Sequence, residues 1–220
     1  ARTVTIIRDN VFSKAANGST GAQARPNVLI GDVPSSGRGS ANGYEIYRNH
    51  FSQNPTEALF QGEGNVTLYA NVFVNDAGAA VTVQPHHGRV RDILVLGNTI
   101  VASGHGISIR GGDAAYTQRV VGNAVFAALP IVGGAATANV TGSHAEAVRH
   151  LVAPLATAAE RDFHPQPGTL RGRALDVRDY AGLADRDRDF GGRRRDWTVR
   201  GALGASPRVP APRPASEPGS

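Results

Sequence analysis

The sequence predicts an all-β solenoid, a fold in which short strands wind into about five to six coils that stack on one another. One observation is a recurrent asparagine at the end of an apolar run, at spacings of 39, 22, 27 and 25 residues. Another is the apolar residue that stands two positions after each asparagine. The asparagines are Asn10, Asn49, Asn71, Asn98 and Asn123, and the apolar residues are Phe12, Phe51, Phe73, Ile100 and Val125.

Each coil contains two short runs in which apolar and polar residues alternate, and this period of two predicts strands rather than helices. Val81 and Val83 are expected on one face, and Thr82 and Gln84 on the other. The segment Ile107–Arg110 repeats this pattern. Glycine and asparagine between the runs suit tight turns, so each coil can stack in parallel on the next.

The asparagines are expected to form a ladder, because stacked side-chain amides can hydrogen-bond one another and the turn backbone while buried. This asparagine ladder resembles that of right-handed parallel β-helix proteins of the pectate-lyase-like kind. The resemblance implies a single-stranded right-handed parallel β-helix, in which one chain winds through all coils. A β-sandwich of hairpins is the alternative, but hairpin turns would not keep asparagine in one phase over five coils.

Composition is compatible with one sizeable core in a chain of 220 residues. The absence of cysteine excludes a disulfide framework, a thiolate metal site and a cysteine nucleophile. The sequence contains no run of 18 apolar residues, so it predicts no membrane span. The chain opens in a strand pattern at residues 3–7, and a bare coil edge is an aggregation hazard. We therefore expect further coils or a cap to precede Ala1.

The pattern divides the chain into coils over residues 1–142, a C-terminal cap over 143–204 and a disordered proline-rich tail over 205–220. Polar loops at 13–25 and 34–43 interrupt the first coils. The segment from Asp162 onward resembles the closing segment of bacterial surface β-helix proteins, with Asp-Phe, Pro-Gly and a final Gly-Ala. It departs from that pattern at Leu203, where an aromatic residue is usual.

Charge is concentrated in residues 161–200, which carry 10 arginines and 7 aspartates. Because the two types interleave, we predict a salt-bridged surface and no nucleic-acid partner. Asp185, Asp187 and Asp189 have the spacing of a calcium loop. Phe190 stands where the sharp turn of such a loop requires glycine, so no metal cofactor is predicted, with Ca²⁺ as the alternative.

In enzymes of the resembled family, polysaccharide lies in a groove along one sheet. We aligned the first strand of each coil by its inward pair of residues, taking Ala58 and Phe60 as equivalent to Val81 and Val83. This alignment brings Gln84 next to Gln61 and Arg110. The patch that it predicts consists of Gln61, Glu63, Gln84, His86, His87, Arg110 and Asp113, with Arg89 and Arg91 in the loop beside it.

The patch has the residue types that a polysaccharide lyase requires. Such an enzyme needs a cation to neutralise the uronate and a base to remove the C5 proton. Arg110 and His86 are the candidates for these catalytic roles, and the other patch residues are candidates for substrate binding. The alternative is an ordinary solvated sheet face. The string GHGISI at 104–109 is similar to a polygalacturonase motif, but no pair of aspartates precedes it.

The resemblance therefore implies an extracellular, periplasmic or cell-surface protein of bacterial type that binds or acts on acidic polysaccharide, as a monomer. Whether it is an enzyme is left open. The alternatives are a non-catalytic structural or adhesive solenoid, and a truncated part of a polysaccharide lyase.

Overall fold

The structure, a computed structural model, describes residues 3–15, 17–18, 24–31, 33–34 and 36–204. It is mostly β, with 43% strand and one short α-helix. Neighbouring strands of the coils pair in parallel, which is consistent with a parallel β-helix or solenoid. The predicted disordered tail at 205–220 lies outside the described residues.

One sheet contains six strands and is parallel throughout its described length. In spatial order they are β1 (Val4–Arg8), β4 (Gly43–Tyr47), β7 (Gly64–Tyr69), β10 (Val90–Leu96), β12 (Gln118–Val121) and β14 (Ala135–Thr137). Consecutive strands come from successive coils, so the sheet runs along the stack.

A second sheet contains the remaining strands of the coils. They are β2 (Val11–Ser13), β3 (Val28–Ile30), β5 (His50–Ser52), β6 (Phe60–Gly62), β8 (Val72–Asn75), β9 (Val81–Val83), β11 (Thr99–Ile109), β13 (Ala124–Val132) and β15 (Val140–Gly142). The long strand β11 joins two ladders, because its first half pairs with β8 and its last residues pair with β9.

The strands thus fall into more than one sheet, and the sequence predicted two runs in each coil. The coil between Phe60 and Asn75 has three strands, β6, β7 and β8. The run that the sequence did not predict is β8 (Val72–Asn75), which follows Asn71. All four of its residues are buried, so it shows no alternation of apolar and polar residues.

The interior of the coils is filled by rows of apolar side chains that stack from coil to coil. Phe12, Phe51 and Phe73 form one row, with ring centroids 5.0 and 4.5 Å apart. The row continues through Ile100 and Val125 in the same register. These are the residues two positions after each asparagine, so this part of the repeat fixes the core.

The asparagines form a continuous hydrogen-bonded ladder beside this row. Asn49 donates to the side-chain oxygen of Asn71, and Asn71 donates in the same way to Asn98. Asn123 continues the ladder to Asn139, which the repeat pattern did not single out. The four central members have no exposed surface, so each amide is satisfied within the protein.

Residues 143–204 lie against the coils with little regular structure. They contain a 3-10 helix (His144–Glu146), α1 (Ala147–His150), the antiparallel strands β16 (Leu151–Ala153) and β17 (Asp162–Pro165), and a second 3-10 helix (Arg178–Tyr180). No helix in the described ranges has the length and apolar character needed to cross a membrane.

Buried arginine anchors this segment to the flank of the coils. The Arg195 guanidinium donates to the backbone oxygens of Gly97 and Gly201, and it stacks 4.6 Å from the Trp197 ring. Nearer the first coil, Arg48 pairs with Asp185 at 3.0 Å. The segment therefore crosses several coils.

Candidate functional site

The outward face of four stacked strands forms the floor of a groove. Leu29 of β3, Gln61 of β6, Thr82 of β9 and Ser108 of β11 are directly paired in register. Their neighbours in the same strands, such as Phe60 and Val81, point into the core and are fully buried. The period of two in these strands therefore supplies a mostly polar row on one side of the sheet.

This register differs from the predicted one by two residues in a single coil. Gln61 pairs with Thr82, whereas the sequence alignment matched it with Gln84. The cause is Gly62, which occupies the inward position equivalent to Val83. A Cβ there would come within 3.0 Å of Ile30 and of the Phe60 ring. Since glycine carries no apolar signal, the pattern made Ala58 and Phe60 look like the inward pair.

Three adjoining clefts lie along this face. The first, of about 320 Å³, lies between the loop at 55–58 and the segment at 77–79, and its other lining residues are Gln61, Thr82, Gln84, His105, Ser108 and Arg110. The second, of about 640 Å³, shares Glu57, Gln61 and Gln84 with the first and extends to Arg25, Leu29, His86 and His87. The third, of about 230 Å³, adds Gly31 and Glu63.

The first cleft has a buried hydroxyl at its floor. Ser108 is only 2% exposed, and its Oγ has no hydrogen-bond partner among the described residues. An unpaired buried hydroxyl costs free energy, and with less than 1 Å² of accessible surface this oxygen is out of reach of a ligand in the cleft. His105 and Arg110 line the same cleft, which gives it both hydrogen-bond donors and a permanent positive charge.

Glu63 is held inside the protein and is only 2% exposed. Its carboxylate accepts backbone hydrogen bonds from His86 at 2.5 Å, His87 at 3.2 Å and Gly88 at 2.9 Å. The carboxylate therefore fixes the loop that carries the two histidines. Its predicted contact with substrate stays a prediction.

Arg91 is likewise buried, with 3% of its surface exposed. Its guanidinium donates to the backbone oxygens of Pro34 and Ser40, so it ties the loop at 34–43 to the coils. Arg89 and Asp113 are nearer the surface and pair at 3.5 Å. Neither of these two lines any of the three clefts described above.

The predicted catalytic pair is divided between clefts. The imidazoles of His86 and His87 stack 4.2 Å apart and line the second and third clefts. Arg110 lines the first cleft. Gln84 belongs to both the first and the second cleft, so it joins the two halves of the groove.

The aspartates with calcium-loop spacing serve other contacts. Asp185 pairs with Arg48, and the buried Asp189 accepts hydrogen bonds from the backbone nitrogens of Arg193 and Gly204. Within the described ranges, no group of three or more His, Asp or Glu side chains is placed to hold a metal ion.

Sequence reasoning left Thr82, Ser108, His105 and Glu57 out of the candidate site. The alternation in Val81–Val83 and Ile107–Ile109 already indicates that Thr82 and Ser108 point outward, and this signal is available in the sequence. Glu57 lies in a loop, where no periodicity indicates direction.

Comparison with known proteins finds no family model, no curated protein and no solved structure that matches this chain.

Proposed function

We propose that this chain is a right-handed parallel β-helix of the pectate-lyase-like kind that binds acidic polysaccharide along the groove. It acts outside the cytoplasm, in the extracellular space, the periplasm or at the cell surface, as a monomer. The residues that contact the glycan are Gln61, Thr82, Gln84, His86, His87, His105 and Arg110.

The observation that supports this proposal best is the continuity of the groove. Three adjoining clefts follow one sheet face, and shared residues such as Gln61 and Gln84 join the first to the second. A linear polymer needs an extended site, whereas a small molecule fits one enclosed pocket. Hydroxyl, amide and imidazole groups can each donate and accept hydrogen bonds, which matches the hydroxyl groups of a sugar chain. Arg110 adds attraction for an acidic sugar.

A lyase is the second candidate, and the presence of both His105 and Arg110 in the first cleft favours it. In this hypothesis Arg110 neutralises the uronate carboxylate and His105 takes the C5 proton. The electron pair of the C5–H bond forms the C4–C5 double bond as the C4–O glycosidic bond breaks, and the leaving oxygen takes a proton from water. His86 lines the neighbouring clefts, so it contributes to binding of the next sugar units. Formation of an unsaturated product, followed by its absorbance, separates the lyase from a binding protein.

Direct titration tests the proposal. The chain is titrated with pectate, alginate and heparin oligosaccharides, and the same is done for Gln61→Ala/Gln84→Ala. We expect binding of at least one glycan and weaker binding by the variant. A matched control is Gln166→Ala, whose side chain lies in the C-terminal segment and donates to the backbone oxygen of Leu151. Absence of binding to all three glycans would favour the structural or adhesive solenoid.

A further inference from the structure

The Glu63 side chain of the neighbouring coil holds the loop at 86–88. Three successive backbone N–H groups, those of His86, His87 and Gly88, converge on the Glu63 carboxylate. Consecutive N–H groups that point to one centre form an anion-binding concavity. Here the anion is supplied by the protein itself, since Glu63 reaches across from the end of the adjacent β6.

The neighbouring coil on the other side is shaped to admit this carboxylate. Gly31 has a φ of +152°, and a Cβ at that position would come within 2.5 Å of the Glu63 Cγ and 2.8 Å of its Oε1. A Cβ on Gly88 would also contact the Glu63 Oε1, at 3.4 Å. Glycines on both sides of the carboxylate therefore leave the space that it occupies.

The anchored loop carries two histidines that line the groove. His86 and His87 are exposed, stack on each other and line the second and third clefts. A loop of this kind would sample several conformations without an anchor. Since the anchor fixes the backbone of both histidines, it also fixes where their rings stand along the groove.

We propose that Glu63 is a positioning residue for glycan recognition, which holds His86 and His87 in place through their backbone rather than by touching the glycan. The inference depends on the proposed function, because it assigns Glu63 a role in that same groove. A carboxylate suits this role because both oxygens only accept hydrogen bonds. Glutamine offers one acceptor, and its NH₂ group would face an N–H donor.

The anchor itself is tested without any ligand. Amide hydrogen exchange at residues 86–88 is compared between the unchanged chain and Glu63→Gln. We expect at least about tenfold faster exchange in the variant, because hydrogen bonding to the carboxylate protects these amides. Unchanged exchange would overturn the inference.

The link to recognition is tested by a double-mutant cycle on the glycan that binds most tightly among pectate, alginate and heparin oligosaccharides. The variants are Glu63→Gln, His86→Ala/His87→Ala and the combination of all three changes. If Glu63 acts through the histidines, Glu63→Gln and His86→Ala/His87→Ala each weaken glycan binding about tenfold. The variant with all three changes then binds the glycan as tightly as the histidine variant does. Fully additive losses would overturn the inference.

A second variant disturbs the same anchor without changing Glu63, in case Glu63→Gln does not fold. Gly31→Ala leaves Glu63 in the chain but brings a methyl group against its side chain, and it should reproduce the faster exchange at 86–88. Gly168→Ala is the matched control, because Gly168 also has a positive φ of 78° and its Cβ would meet nothing within 4 Å. Equal exchange rates at residues 86–88 in the two alanine variants would contradict the anchoring role of Glu63.

The outcomes separate this inference from the proposed function. Binding of none of the three glycans would overturn both. Unweakened binding by His86→Ala/His87→Ala would overturn the inference and remove these two histidines from the site. Weakened binding by the histidine variant together with unweakened binding by Glu63→Gln would overturn the inference alone.

Discussion

The side-chain oxygen of Asn98 accepts two hydrogen bonds from Asn71, one from its backbone nitrogen at 2.9 Å and one from its side-chain nitrogen at 3.0 Å. Asn98 in turn donates from the same two nitrogens to Asn123, at 2.8 and 3.0 Å, and its side chain also donates to the Leu68 oxygen. Because each member both accepts from one coil and donates to the next, the ladder fixes the register of the stack.

Replacement of Asn98 should therefore destabilise the fold. Asn98→Ala removes the acceptor for Asn71 and leaves buried donors unpaired, so we expect a loss of roughly 1–3 kcal/mol in the free energy of unfolding. Urea denaturation followed by circular dichroism measures it. Asn65→Ala is the control, since Asn65 is only partly buried, and a comparable loss in both variants would contradict a special role of the ladder.

The stability of the chain should fall in mild acid because of His50. This side chain packs near Phe163, and its Nε2 has no partner among the described residues. Burial, with the positive charge of Arg161 nearby, lowers the pKa of His50 from its ordinary 6.5. The unfolded chain then binds this proton more readily, so stability present above about pH 6.5 is lost as the pH falls below it.

The contribution of His50 is measured by denaturation of the unchanged chain and of His50→Phe at about pH 7.5 and about pH 5. The phenylalanine fills the same space beside Phe163 and cannot take up a proton, so the variant should lose less stability on acidification. The other histidines are the same in both proteins, so their contribution cancels in the comparison. The same loss in both would refute the role of His50.

Attachment of the C-terminal segment should depend on Arg195. Burial lowers the pKa of Arg195 to about 10, so the side chain remains charged at neutral pH. Arg195→Ala removes the donor to the oxygens of Gly97 and Gly201, and we expect a loss of at least about 2 kcal/mol. Limited proteolysis should then cleave residues 143–204 sooner than in the unchanged chain.

The neighbouring Arg194 provides the matched control, because it is exposed. Arg194→Ala should change stability by no more than about 0.5 kcal/mol. Equal protease sensitivity of the two variants would mean that the segment is held elsewhere.

Glycan binding should weaken with added salt. Arg110 is exposed at the edge of the first cleft, and the attraction between exposed charges is screened at a Debye length of about 8 Å in 0.15 M salt. Titrations of an acidic glycan at about 0.05 M and about 0.5 M salt measure this effect. In Arg110→Ala the salt dependence should be smaller, and an unchanged dependence would remove Arg110 from the site.

The parts of the fold that repeat could be predicted from the sequence, and the interrupted parts could not. The asparagines and the Phe12, Phe51 and Phe73 row recur in one phase, so their stacking follows from the pattern. The coil containing Gly62 was misaligned because its inward position carries no side chain. The register of that coil depends on how Phe60 and Ile30 fill the space, which is a matter of packing.

The candidate site was predictable in the strands and in the residues that directly follow them, including His86 and His87. Gln61, Gln84 and Arg110 were expected on the outward face and line the groove. Glu63 and Arg91 have the same polar character in the sequence but are buried. Their burial depends on hydrogen bonds to backbone groups of loops in neighbouring coils, such as the oxygen of Pro34. The residue types in the sequence do not indicate these backbone contacts.

The most direct test of groove binding compares one acidic glycan with the unchanged chain, Arg110→Ala/His86→Ala and Arg173→Ala, all shown to be folded by circular dichroism. Arg173 is exposed in the C-terminal segment and controls for the loss of one positive charge. Isothermal titration should give an affinity at least about tenfold lower for the double variant and an unchanged affinity for Arg173→Ala. Equal affinity in the unchanged chain and the double variant would contradict binding in this groove.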